Sequence, residues 1–375
     1  RFNPLQGRTG QWRTISKRKW PCLRIANQTE AAPMPAKAPD LDAWKALFAA
    51  ADAFTAARCW EYVDSNYVFG VRIGADQTCY CGILGYYGDV CGLAVYRDLQ
   101  AYLQMRTARE GDSDAKYALE GLVMYLNTKA ELYADDLRLI EAVGYTAKRG
   151  KWPQFRSLLP GFAAWYLDCG EIALMTTCLE QALEIARQAA GDRKFLAPDP
   201  RGRIPVRAAE KHDGVLRWRD LREPMPTPRT EQDPVPIPPV NQFKLRRLMH
   251  TSCRRNGQWE ADYFFAPTPI QDRPGTRPYY PYCLLVMDGE DGTIVGQRLA
   301  GQADVQAEAA DLFLDTTIGL GMVPERVLIR RPEVYAALSP LAAELGHAME
   351  LELVKRLKWV AIARRGFEKF MHGKR

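Results

Sequence analysis

Histidine is scarce in this chain: four in 375 residues, at positions 212, 250, 347 and 372. No two have the i, i+4 spacing that puts metal ligands on one helix face. There is no G-x-S-x-G turn and no glycine loop followed by Lys-Ser/Thr. Nucleophile-elbow hydrolases and P-loop nucleotide binding therefore have no footing. No uncharged apolar run approaches the roughly 18 residues a bilayer span needs, and no secretory hydrophobic region is found. The nine cysteines form no disulfide framework. Their odd number and scattered positions predict reduced thiols in a cytoplasm. Cys79 and Cys81 alternate onto one strand face with Cys91 nearby. Zinc usually takes its cysteines from C-x-x-C turns, and no histidine completes a set, so these read as buried thiols. No metal and no cofactor is expected.

What is present is an ordinary apolar content of 47% with 26% charged residues and a net charge of +6. That positive charge is confined to the ends. Residues 1–39 hold eight Lys/Arg against one acid, as do residues 354–375; the 314 residues between hold 35 bases and 43 acids. A basic body built for polyanions is thus excluded, and basic termini remain.

The order of patterns predicts two domains. Residues 1–39 read as a basic disordered leader; they open with Arg rather than Met, which leaves the natural start open. Residues 40–223 read as an α+β domain. Asp40 is a helix cap, followed by Leu41, Trp44, Leu47, Phe48, Ala51 and Phe54 at helical spacing. Short β-prone runs at 67–73, 79–84 and 91–96, separated by glycine turns, predict an antiparallel meander. Strand Leu122–Leu126 and helix Tyr133–Val143 follow. Asp168 to Glu171 has capping-box spacing before another amphipathic helix. His212-Asp213-Gly214 marks a hairpin. The seven prolines within residues 224–240 predict a semi-rigid linker.

Residues 241–375 read as an α/β domain of βββαβαβα order, the order of ribonuclease-H-like domains. Such domains hold two metal ions on carboxylates of the first strand, the first helix and the end of the fourth strand. Glu260 and Asp262 lie on one face of the first strand, and Glu308, Asp311 and Asp315 form a row on the first helix. The fourth strand ends in Arg330-Arg331, cations where a ligand is needed. The terminal helix offers Lys355, Arg356, Lys358, Arg364, Arg365 and Lys369 to phosphates.

The most particular stretch runs from Trp152 to Tyr166, with two prolines, several rings and one arginine. Arg156, Trp152 and Trp165 are its candidate ligand contacts. As scaffold, the stretch would wedge the following helix against the sheet.

The strings Lys151-Trp152-Pro153-Gln154-Phe155-Arg156-Ser157 and Pro160-Gly161-Phe162-Ala163-Ala164-Trp165-Tyr166-Leu167 resemble an uncharacterised bacterial two-domain family. Val68–Val71 and Gly92–Tyr96 share that resemblance. Arg277–Tyr282 and the hairpin Asp288–Gly296 resemble its partner domain. The resemblance spans about residues 40–370 and implies a bacterial cytoplasmic protein with no catalytic residues to carry over.

Three functions stay open at this point. The first is a non-catalytic binding protein of unknown partner, without membrane contact. The second is a metal-dependent nuclease or nucleotide-processing enzyme using Glu260, Asp262, Glu308 and Asp311. The third is a nucleic-acid-binding protein using the basic terminal helix.

Overall fold

The computed structural model describes residues 40–74, 77–88, 90–107, 114–147, 150–192, 194–212, 215–225, 235–251, 253–255, 257–301, 303, 305–346 and 349–372. The predicted leader, the hairpin tip Asp213-Gly214, the middle of the proline linker and His347 lie outside the described residues. Two compact units form. One takes everything up to Pro160 plus Ala164–Pro228; the other takes Gly161–Ala163 and everything from Arg229. Both are mixed α/β, with eight α-helices among the described residues. None of these is long and apolar enough to cross a membrane.

The first unit begins with α1 (Leu41–Ala57), whose Asp40 side chain accepts from the Asp42 and Ala43 amides. The row Trp44, Leu47, Phe48, Ala51 and Phe54 is buried. Strands β1 (Phe69–Ile73), β2 (Thr78–Leu84) and β3 (Gly92–Tyr96) follow, then α2 (Leu99–Thr107), β4 (Gly121–Asn127), α3 (Ala134–Val143) and β5 (Trp152–Leu158). The unit closes with α4 (Cys169–Gly191), β6 (Arg203–His212) and β7 (Val215–Pro224). Its seven-stranded sheet has the order β5-β4-β3-β2-β1-β6-β7. Only β1 and β6 pair in parallel; the other neighbours are antiparallel. One sheet face packs with α1, α3 and α4 through Leu47, Phe54, Val71, Cys81, Met124, Phe155, Met175 and Leu179. The other face is aromatic, with Tyr80, Tyr96 and Tyr125 packed with Tyr102 of α2.

Trp152–Leu158, within the stretch singled out by the sequence, is the edge strand of this sheet. The strand continues through Pro153 because β5 ends the strand order, and an edge tolerates proline where a central strand does not.

The second unit contains α5 (Gln242–His250), β8 (Arg254–Arg255), β9 (Gln258–Phe265), β10 (Tyr282–Asp288), β11 (Ile294–Ala300), α6 (Val305–Leu320), β12 (Met322–Val323), β13 (Arg326–Ile329), α7 (Pro332–Leu345), β14 (Glu350–Leu353) and α8 (Lys358–His372). The main sheet has the order β11-β10-β9-β13-β14. Pairing is antiparallel from β11 to β9 and parallel from β9 to β14. Two-residue strands β8 and β12 pair separately.

Alternation along β9 sorts its side chains between two cores. Trp259, Ala261 and Tyr263 join α6 and α7 around Phe313 and Leu338. Phe264 joins Leu285, Met287 and, from the α8 region, Leu357 and Val360.

Candidate functional site

In the first unit the ionisable groups converge beneath β5. Arg156 is 3% exposed. Its guanidinium donates to both Asp136 oxygens, at 2.8 and 2.6 Å. The rings of Tyr133 and Tyr166 flank it at 5.4 and 5.0 Å. Gln154 adds a donor to Asp136 at 2.7 Å and accepts from Asn127 at 2.9 Å. Burial thus makes Arg156 a cross-link between β5 and α3. It leaves the residue without a surface to offer a ligand. Trp152 and Trp165 are only half-buried. Trp152 meets Tyr145 edge-on and lies beneath Lys129, and Trp165 meets Tyr166 edge-on. The three candidates form no common cradle.

Glu171 is the second node. It completes the capping box with Asp168, accepts from the Ser157 hydroxyl at 2.7 Å and pairs with Arg97. Sequence spacing identified its cap role but not its tie to β5. Asp136 was missed entirely. Its signal was the Asp135-Asp136 pair in the first turn of α3, a common place for acids and so an uninformative one.

Burial holds two of the three candidate thiols in the protonated form. Cys79 and Cys81 are buried, and burial pushes the Cys79 thiol up to about 12. Cys81 is buried in the same core as Cys178 of α4, and burial raises its thiol well above the ordinary value, while Cys91 precedes β3 and is only half-buried.

In the second unit the candidate carboxylates are separated and individually neutralised. Glu260 is buried and accepts from the backbone amides of Lys358, Trp359 and Val360 at 2.8–2.9 Å. It is the N-terminal anchor of α8, an arrangement the helix dipole favours. Asp262 is 4% exposed. It accepts from Arg330 Nε at 2.9 Å and lies 3.2 Å from Arg331 Nε. Burial raises its carboxyl above the usual range, and the two guanidiniums oppose that rise.

The α6 carboxylates belong to a different cluster. Glu308 meets Arg298 at 2.7 Å, Asp311 meets Lys244 at 2.6 Å, and Asp315 is shared by both cations. Burial works to lower Lys244, but Asp311 and Asp315 outweigh it and raise its affinity for the proton. The row visible at i, i+3, i+7 is thus a clamp joining α5, α6 and β11. A small pocket against β9 and β10 is lined by apolar side chains such as Leu284, Phe313 and Leu338, with Asp262 its one ionisable lining residue. Among the described residues, no group of three or more His, Cys, Asp and Glu side chains is placed to hold a metal ion.

The basic residues of the terminal helix divide by face. Lys355, Arg356, Lys358, Arg365 and Lys369 are exposed. Arg364 is not part of that surface: it is 8% exposed, pairs with Glu368 and covers the Phe264 ring at 5.2 Å.

Fold and side-chain geometry define a two-domain mixed α/β protein whose candidate carboxylates are each held by cations or by a helix end. Residues 44–207 match the family model described as a domain of unknown function (DUF7309), and residues 244–368 match a second domain of unknown function (DUF6930). The chain thus has a two-domain architecture in which each half falls in an uncharacterised family. No curated protein matches it.

Proposed function

We propose that this is a non-catalytic binding protein whose second unit keeps a ribonuclease-H-like order with arginines standing where metal-binding carboxylates would be needed. The order β11-β10-β9-β13-β14 supports that reading of the second unit. The antiparallel run from β1 to β5 supports a meander in the first. The observation that carries the functional part is the pairing of Asp262 with Arg330 and Arg331 at 2.9 and 3.2 Å. A guanidinium placed there repels a divalent cation and uses the lone pairs that would bind it. Glu260 is likewise committed to three backbone amides. The resemblance noted in the sequence implies a bacterial source, and the free cysteines support a reducing cytoplasm.

The test is incubation with labelled RNA, DNA and RNA–DNA hybrid in Mg²⁺ or Mn²⁺. Intact strands, and no Mn²⁺ binding by calorimetry, are expected. Metal-dependent cleavage that disappears in Asp262→Ala would replace this reading with the nuclease one.

A further inference from the structure

Helix α8 is amphipathic, and the use of its two faces restricts what it can bind. Val360, Phe367 and the preceding Leu357 pack with Phe264, Leu285 and Met287. The apolar face is therefore consumed inside the unit. An interfacial membrane helix must instead bury that face among lipid tails, so an anionic bilayer is a poor occupant.

The opposite face carries Lys358, Ile362, Arg365 and Lys369. At 100° per residue these i, i+4, i+7, i+11 positions form one stripe about 16 Å long. All four are exposed, Ile362 at 44%. Lys355 and Arg356 extend the charge just before the helix, and both are exposed. None of these five cations makes an ion pair with a carboxylate of the described residues. Of the acids around it, Glu368 pairs with Arg364, and Glu350 and Glu352 with Arg326, while Asp288, Glu290 and Asp291 lie on the hairpin that touches Trp359. Phe370 lies at the side of the stripe, 57% exposed.

From this geometry we infer that the exposed stripe of α8 is a docking surface for the phosphodiester backbone of a nucleic acid. The occupant must be a linear polyanion. The cations lie in a line on a convex helix, with no concavity to enclose a compact anion. Lys358 lies over the Trp359 ring at 3.9 Å, and long Lys and Arg stems without a carboxylate partner suit point contacts to successive phosphates. The exposed ring beside them offers stacking to an unpaired base, which favours a single strand over a duplex.

This names a partner class for the binding protein proposed above and rests on that reading in treating the bound strand as uncleaved. The two fail differently. Strand cleavage would defeat the non-catalytic reading and leave the docking surface standing, while absent binding would defeat only the docking surface.

The experiment measures fluorescence anisotropy of short labelled oligonucleotides of mixed sequence, single-stranded and duplex, DNA and RNA, on the full chain. Three single-strand phosphate contacts give an affinity loss of about 20-fold between about 50 and 200 mM salt. The triple variant Lys358→Gln, Arg365→Gln, Lys369→Gln should lose most of that salt dependence with an unchanged melting curve, since all three side chains are exposed. Lys358→Arg with Lys369→Arg should retain it. Phe370→Ala should weaken single strands and leave duplexes alone. Absence of binding at low salt would overturn the inference. So would binding that the triple variant leaves intact, polyglutamate displacing the strand at equal charge, or binding of phosphatidylserine vesicles in place of oligonucleotides.

Discussion

Arg156 and Asp136 form a two-pronged ion pair in the interior of the first unit, with side-chain exposures of 3% and 7%. Desolvating both charges is costly, and their mutual hydrogen bonds repay it only while both are present. Asp136→Asn should therefore cost about 3–5 kcal/mol, because it strands a buried guanidinium. The triple replacement Arg156→Met, Asp136→Leu and Gln154→Leu, which also removes the Gln154 donor to Asp136, should cost less. Urea unfolding followed by tryptophan fluorescence reads both. A loss for the triple variant as large as that for Asp136→Asn would mean that a stranded guanidinium is not what the single substitution costs.

Gly92 lies where β3 crosses the backbone of β4. A Cβ added there would collide with the Met124 carbonyl oxygen and crowd the Tyr125 Cα. Backbone atoms in the middle of a sheet cannot swing aside as a side chain can. Gly92→Ala should then cost roughly 2–3 kcal/mol, at the upper end of overpacking penalties. Gly191→Ala, at the end of α4 with open space around it, is the contrasting control. Thermal melts of the two variants should separate by several degrees.

Glu260 links the first strand of its sheet to the last helix across about a hundred residues of sequence. Its carboxylate takes three amides of the first turn of α8. Glu260→Ala leaves those donors buried without an acceptor, and each charge-assisted bond is worth about 1.5–3 kcal/mol. Amide exchange in residues 358–362 should accelerate before any other part of the second unit opens. Uniform acceleration throughout the unit would show that α8 does not unfold separately.

Local signals in the sequence carried well into the structure. The Asp40 cap, the Asp168 capping box and the helical row from Trp44 to Phe54 depend on neighbours within one or two turns, so their spacing could be read directly. The strand at Trp152–Leu158 was obscured by Pro153, whose tolerance depends on being at a sheet edge, and no local pattern reports an edge. Partners distant in sequence were equally hidden. Glu308, Asp311 and Asp315 were visible as one row, but Lys244 and Arg298, which neutralise them, come from other elements. A carboxylate row shows where negative charge lies without showing what already neutralises it.

The same row gives the acid response a definite sign. Partial burial acts to raise the Asp311 carboxyl, but Lys244, Asn241 and Arg298 outweigh it and hold the group below its ordinary value. A carboxylate lowered on folding stabilises the fold above the unfolded value, near 3.9, and that contribution is lost as pH falls through the folded value. Asp262 has the opposite sign. Its carboxyl is raised on folding, so the protonated form favours the fold, and stability falls as pH climbs from about 3.9 towards the raised value. In urea titrations across pH, Asp311→Asn should be less stable than the parent at neutral pH and converge with it below about pH 3.9. The gap between Asp262→Asn and the parent should instead widen as pH climbs above about 3.9, because burial opposes the ionised partner more than Arg331 and Arg330 favour it. A gap for Asp311→Asn that persisted at the acid end would show that its loss is one of packing and not of charge.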